Sequence, residues 1–343
     1  MAGIPEPRRD ITLFDVAQRA GVSLATASKA LNDRFDVSAS TRDRVLKVAQ
    51  DMGFSANALA RGLAIGRSHT VGIVTNDLSG RFVPKIMHGA ELAVGMEDST
   101  VLMSNSHGDP AHEERLVRRL LERRVDGLIM VDDSMEARSP VRGAGSTPIV
   151  YAYGWSTDRR DRSIIPDADL AGRIAAQHLI DIGRRHIVVI SGEPGSYPAV
   201  RRAAGARDAL RDAGLAVRPS SVLFGSWSEQ WGWDAIEGFF ADGLQVDGVV
   251  AGDDLIARGV VERIQLRGLR IPDDIAVVGQ DDWWPVVNGR LPITSVNPCL
   301  DELGAAAVRL LYSNPAESDA PELVPPRLMV RESTVRGGAA AMP

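Results

Sequence analysis

From residue 71 onward the sequence repeats one pattern: a short apolar run rich in β-branched residues, a stretch with helical spacing, then another run. VGIV (71–74), VLMS (101–104), DGLIMV (126–131) and PIVY (148–151) come first, and a shorter run at 163–165 leads on to HIVVIS (186–191), VLF (222–224), VDGVVA (246–251) and IAVVG (275–279). Short apolar runs without polar alternation suit strands covered on both faces. Helical stretches between them, at about 82–95, 110–124, 169–182, 200–213, 229–241 and 255–267, make the connections crossovers and the strands parallel. Asp109-Pro110 supplies a cap and a first-turn proline for the second of these helices. Two such series in succession predict two α/β lobes with a cleft between them. The expected first lobe takes about 69–160 and 293–318, and the second about 161–292 and 319–336. ITSV (293–296), a helix over 301–312 and a last strand near 328–331 bring the chain back between them.

Bulk properties narrow the function. The single cysteine, Cys299, rules out an intrachain disulfide and reads as a small buried hydrophobe. MAGIPEPRRD has no apolar leader character, and no apolar run is long enough to cross a bilayer, so a cytoplasmic protein without membrane contact is expected. Net charge is −6, unevenly spread. Residues 1–70 hold 10 Lys/Arg against 7 Asp/Glu, and the remainder 29 against 38. A basic head on an acidic body suits phosphate contact at one end only. Nucleotide and metal motifs are missing: there is no G-x-G-x-x-G, no Walker loop and no HExxH. HEER (112–115) lacks the second His, GEPG (192–195) lacks the Lys and hydroxyl of a phosphate loop, and the acids at 281–282 have no evident nucleophile. The chain therefore reads as a non-enzyme without cofactor or metal. An enzyme on the same scaffold is the competing reading, and turnover of a bound small molecule would revive it.

The N-terminal head, 1–54, contains TLFDVAQRAGVSLATASKAL (12–31). Thr12 and Asp15 can form a capping box, Gly21 can end the first helix in a left-handed conformation, and Ser23 can cap the second. Phe14, Val16, Ala17 and Ala20 predict the buried face of the first helix, and Ala27, Ala30 and Leu31 that of the second. A third helix from about 38–41 buries Val45, Val48 and Ala49. The result is a helix-turn-helix, whose second helix can enter a DNA major groove. A linker at 55–68 follows, with SANALARGL (55–63) too short to hold a helix alone in water.

The run TLFDVAQRAGVSLATASKALND, then TRDRVLKVAQDMGFSANALARGL, then HTVGIV, resembles the start of a LacI/GalR-family transcription regulator, and the likeness continues to about Arg331. The resemblance implies a helix-turn-helix head on a periplasmic-binding-protein-like body of two Rossmann-like subdomains. It implies a homodimer on a near-palindromic operator, most often as a repressor, controlled by a small effector between the lobes. It places Leu24, Ala25 and Lys29 at base edges and Ser23, Thr26 and Ser28 at phosphates. Asn57, Leu59 and Leu63 fall on a minor-groove hinge helix, with Asn57 its cap and Leu63 a wedge between base steps. Ala56 stands where the family often has Pro, and Gly62 costs helix stability on the order of 1 kcal/mol. No heptad tail follows 331, which argues against a coiled-coil tetramer.

Effectors in such folds bind at the carboxyl ends of strands. Asp77, Phe82, Tyr153, Trp227, Asp253 and Asp281 stand near such ends, the resemblance puts Arg81 near the cleft mouth and matches Arg202 to the family arginine that begins an R-x-x-G step, and Asp254 reads as a helix cap. Two acids and an aromatic suit a sugar or polyol. The leading reading is a sugar or polyol; Arg81 with Arg202 suits an anionic ligand as an alternative, and a purine or nucleoside is a further alternative, as is action as an activator. Asp253 stands where sugar-responsive members often carry Asn, and Pro166 replaces a frequent acid.

Overall fold

The computed structural model describes residues 11–31, 36–54, 68–96, 99–313 and 320–336. The chain divides into two compact units, Met1–Ser68 and His69–Pro343. In the first unit, α1 (Leu13–Ala20), α2 (Leu24–Leu31) and α3 (Ala39–Asp51) pack around a core of Val16, Ala17, Ala20, Ala27, Ala30, Val45 and Ala49. Their starts are chemically specified. The Thr12 N–H donates to Asp15 at 2.8 Å while Thr12 Oγ1 accepts from the Asp15 N–H, the reciprocal box expected. Gly21, at φ 65°, ends α1 with its N–H on the carbonyls of Ala17 and Gln18. Ser23 Oγ accepts from the Thr26 N–H at 3.1 Å and opens α2. Phe14 departs from expectation: it is 62% exposed, and Leu13 packs on the core instead. Leu13 lies three, four and seven residues before Val16, Ala17 and Ala20, on their face of the helix; Phe14 is one step round.

The second unit holds two six-stranded sheets. In chain order its elements are β1 (Thr70–Thr75), α4 (Val83–Gly95), β2 (Thr100–Asn105), α5 (Pro110–Glu122), β3 (Gly127–Val131), β4 (Ala137–Arg138), β5 (Ile149–Ala152), β6 (Trp155–Ser156), β7 (Arg162–Pro166) and α6 (Ala168–Asp181). These are followed by β8 (Ile187–Ser191), α7 (Tyr197–Asp212), β9 (Val222–Phe224), α8 (Glu229–Ala241), β10 (Gly248–Ala251), α9 (Asp254–Leu266) and β11 (Ala276–Gln280). The last are α10 (Trp284–Val287), β12 (Thr294–Asn297), α11 (Leu300–Tyr312), β13 (Glu322–Val324) and β14 (Arg327–Met329). The first sheet runs β13-β7-β5-β3-β1-β2, all parallel; the second runs β14-β12-β11-β10-β8-β9, parallel except for β14 against β12. β3 and β10 are buried at every residue, as their unbroken apolar runs require.

The lobe boundaries differ from expectation. β7 lies in the first sheet, between β5 and β13, so residues 162–166 belong to the first lobe rather than the second. β12 lies in the second sheet, so residues 294–297 belong to the second lobe rather than the first, and 322–324 complete the first. An apolar run announces a strand but not its neighbour. The chain thus crosses between lobes three times. Helix α7 also begins at Tyr197 rather than near Val200, with Pro198 in its first turn.

Glycines set the helix pairs. A Cβ at Gly89 or Gly304 would fall on the backbone of the partner in the α4–α11 pair; the same holds for Gly172 and Gly205 between α6 and α7, and for Gly232 and Gly259 between α8 and α9. The α6–α7 contact matters for the site, because Gly172 lies against the backbone of Arg202. No helix among the described residues is long and apolar enough to cross a membrane.

Candidate functional site

Strand ends of both lobes converge on one ion network. Arg81 leaves the loop after β1 in the first lobe, and its Nη2 lies 2.9 Å from Asp253 Oδ2 and 3.3 Å from Asp281 Oδ2 in the second. Arg202, on α7, donates from Nη2 to Asp281 Oδ1 at 2.7 Å and from Nη1 to the Gly252 carbonyl at 2.8 Å. Asp253 Oδ1 accepts the Ile256 N–H at 2.8 Å, so Asp253 caps α9 while pairing across the cleft. Tyr153 and Asp281 end their strands with φ of 73° and 93°. Such left-handed backbone costs a non-glycine residue on the order of 1 kcal/mol and turns both side chains out of strand register.

Aromatic rings frame the network. The Phe82 and Tyr153 ring centroids are 5.0 Å apart. The Arg81 guanidinium carbon lies 4.6 Å from the Phe82 centroid and 5.6 Å from that of Trp283, within cation–π range of both. Burial works most strongly against the charge on Arg81 and Arg202, but Asp281 and Asp253 together with Tyr153 outweigh it and hold each guanidinium above its ordinary pKa. Burial, then the neighbouring Asp281, pushes Asp253 up. Burial raises Tyr153 far enough that its phenol stays a neutral hydrogen-bonding group.

Of the eight residues singled out in the sequence, the structure brings together Arg81, Phe82, Tyr153, Arg202, Asp253 and Asp281. Asp77 turns back on its own loop: its Oδ1 accepts from the Ser79 N–H at 2.8 Å and the Ser79 hydroxyl at 2.7 Å, and these bonds lower its pKa. Trp227 packs over Gly192, where a Cβ would enter its ring. Asp254 is not the cap. It is fully buried, with Oδ2 accepting the Trp283 N–H at 2.7 Å and Oδ1 accepting the Ser295 hydroxyl at 2.6 Å. Burial raises its pKa well above the usual carboxylate range. It pins the loop that carries Asp281, Asp282 and Trp283, and Arg331 Nη2 holds Asp282 from the other side at 2.7 Å.

Two features escaped the sequence reading. Trp283 is one, although two tryptophans directly after a strand-end acid pair were a visible signal. The other is a cavity of about 480 Å³ in the first lobe, lined by Asn76, Ser106, Asp109, Glu113, Asp132 and Arg138 among others. Asp132 ends β3 and pairs with Arg138 at 2.9 Å, yet burial still pushes it up to about 6.

In the head, α2 turns Leu24 (50% exposed) and Ala25 outward, with Thr26 and Ser28 half-buried beside them. The Lys29 ammonium is solvent-accessible and ion-paired with Asp36. An exposed pair of this kind contributes at most about 1 kcal/mol, so a base or phosphate can displace it at little cost. Asn57, Leu59 and Leu63 lie outside the described residues.

Residues 12–57 match the family of bacterial regulatory proteins described as the lacI family, and residues 176–334 match the periplasmic binding protein-like domain. Catabolite control protein A of Priestia megaterium is 32% identical over 332 residues, 95% of this chain and 99% of that protein. The ribose operon repressor of Escherichia coli K12 is 31% identical over 304 residues, 88% of this chain and 92% of its own length. Among solved structures, the lac repressor dimer bound to operator and an anti-inducer superposes with a TM-score of 0.74 at 25% identity, covering 95% of this chain and all of that one. A capped helix-turn-helix followed by a two-lobed parallel α/β body, matched along almost its whole length, places this chain in the LacI family of DNA-binding transcriptional repressors.

Proposed function

We propose that this repressor acts as a homodimer on a near-palindromic operator in the cytoplasm and releases or grips it according to a polyhydroxyl effector held between the lobes. In the head, Leu24, Ala25 and Lys29 face base edges, and Ser23, Thr26 and Ser28 hold phosphates. Asn57, Leu59 and Leu63 form a minor-groove hinge that orders on DNA. Two-fold protein symmetry then matches two half-sites. The dimer rests on the likeness to the lac repressor, which is bound to operator as a dimer, and the effector class on that to the ribose operon repressor.

The observation that carries the effector reading is the Arg81 bridge. One side chain of the first lobe pairs with two acids of the second, 172 and 200 residues away in sequence. A ligand that contacts these groups touches both lobes at once. It therefore binds the open and closed arrangements unequally, the condition for shifting an equilibrium between them. The test is retention of genomic fragments on the purified full-length protein at moderate salt, with and without a panel of sugars and polyols. Enrichment of a near-palindromic sequence, changed by one of the panel, is expected. Retention at background whatever is added would refute the reading, and Lys29→Gln weakening the enriched site by about tenfold would place α2 at the bases.

A further inference from the structure

We propose that the effector carries an anionic group, a phosphate or a carboxylate, on its polyhydroxyl body, and that Arg81 is the residue that selects for it. This rests on the cleft being the effector site. Three of the four carboxylate oxygens of the network accept hydrogen bonds, Asp253 Oδ1 from Ile256, Asp253 Oδ2 from Arg81 and Asp281 Oδ1 from Arg202, while Asp281 Oδ2 has an ionic contact with Arg81 at 3.3 Å. The guanidinium groups are not exhausted. Arg81 Nη1 and Arg202 Nε are buried and have no hydrogen-bond partner among the described residues. Asp281 Oδ2 has an ionic contact with Arg81 but accepts no hydrogen bond.

Within the network, two guanidinium nitrogens and one carboxylate oxygen are thus left without a hydrogen bond, and the buried amide of the adjacent Gln280 is likewise unpartnered among the described residues. An anion attached to a hydroxylated body supplies acceptors for the nitrogens and a donor for the oxygen. Arg202 is 7% exposed, so its free N–H has little access to solvent. A buried donor without a partner is costly, and a carboxylate or phosphate matches a guanidinium in geometry and opposes its charge, which a neutral hydroxyl does not. Arg81 and Arg202 both grip the Asp281 carboxylate, which keeps them within reach of one small ligand. Arg81 is also held before any ligand arrives. Its Nη2 is anchored on two acids and its guanidinium lies within cation–π range of Phe82 and Trp283, so little freedom is left to lose on binding. Two arginines balance two aspartates, so the cluster as a whole does not repel an anion.

Dialysed full-length protein is titrated calorimetrically with D-ribose, D-glucose, their terminal phosphate monoesters and the matching aldonates, for wild type, Arg81→Gln and Arg81→Lys. The expected result is that a phosphate or an aldonate binds wild type about tenfold or more tighter than its neutral parent. Arg81→Gln erases that preference and Arg81→Lys keeps most of it; the tighter series identifies phosphate or carboxylate. A neutral sugar that binds as tightly as its charged derivatives overturns the anion inference and leaves the effector site standing. A preference that survives in Arg81→Gln overturns the role of Arg81. Failure of every compound to bind counts against both.

Discussion

Asp281 sits between two arginines, and a double-mutant cycle with Arg202 measures how far the cleft depends on that arrangement. The pair is 7% and 2% exposed, so neither charge can turn to water when its partner is removed. Asp281→Asn leaves Arg202 with neutral acceptors only, the Gly252 carbonyl and the new amide oxygen, and takes from Arg81 one of its two carboxylates. Removing one partner of a buried pair costs about 3–5 kcal/mol, and this substitution strands Arg202 while Arg81 keeps Asp253, so a cost within that range is expected. Arg202→Met leaves Asp281 still paired with Arg81, and about 3 kcal/mol is expected. The double variant retains the balanced Arg81–Asp253 pair, so its cost falls short of the sum by about 2 kcal/mol. Urea unfolding followed by tryptophan fluorescence is the assay. All 6 tryptophans lie between residues 155 and 284, so the signal reports the unit from His69 onward and not the head. Single variants within about 1 kcal/mol of wild type, or costs that simply add, would refute the idea that these charges are held in mutual dependence.

Two further predictions concern other parts of the body. Gly172→Ala and Gly205→Ala each place a methyl on the backbone of the opposing helix, so each costs about 1–3 kcal/mol despite a helix-propensity gain of up to about 1 kcal/mol; a urea midpoint at or above wild type would show that the α6–α7 contact is loose. The folded protein holds the Asp132 proton up to about pH 6, whereas an unfolded aspartate loses it near ~3.9. Stability therefore falls as pH rises through that window, by at most about 1.4 kcal/mol per pH unit, and levels off above it. Asp132→Asn flattens this segment of the profile, and an unchanged slope in urea midpoints would assign it to other groups.

The sequence is most readable where one local rule decides the outcome. Thr12 with Asp15, Gly21 and Ser23 behave as their capping chemistry dictates, and the apolar runs become strands within a residue or two of their expected limits, although the edge strands β2 and β9 are only partly covered. It is least readable where partners are distant. Nothing in RSIIP specifies that it pairs with PIVY rather than HIVVIS, and ELV (322–324) is too short and too polar to announce a strand. The site shows the same division. Strand-end placement brought Tyr153, Asp253 and Asp281 into view, and the family resemblance added Arg81 and Arg202, but neither could say that Asp77 would satisfy itself on Ser79. Nor could it say which of two adjacent aspartates would cap α9. That choice was settled by Trp283 and Ser295, which claim Asp254 from elements far along the chain.

The two shortest strands near the end of the sequence have a consequence for biosynthesis. β13 closes one border of the first sheet and β14 one border of the second, and just beyond them Arg331 and Ser333 bind the carbonyls of Ile293 and Val277. Neither lobe is complete until these residues have left the ribosome. Everything between His69 and Tyr312 must wait with two unpaired borders, each able to template pairing with a neighbouring nascent chain. Premature termination before residue 322 would injure both lobes at once, so incomplete products should go to degradation rather than persist as half-folded bodies.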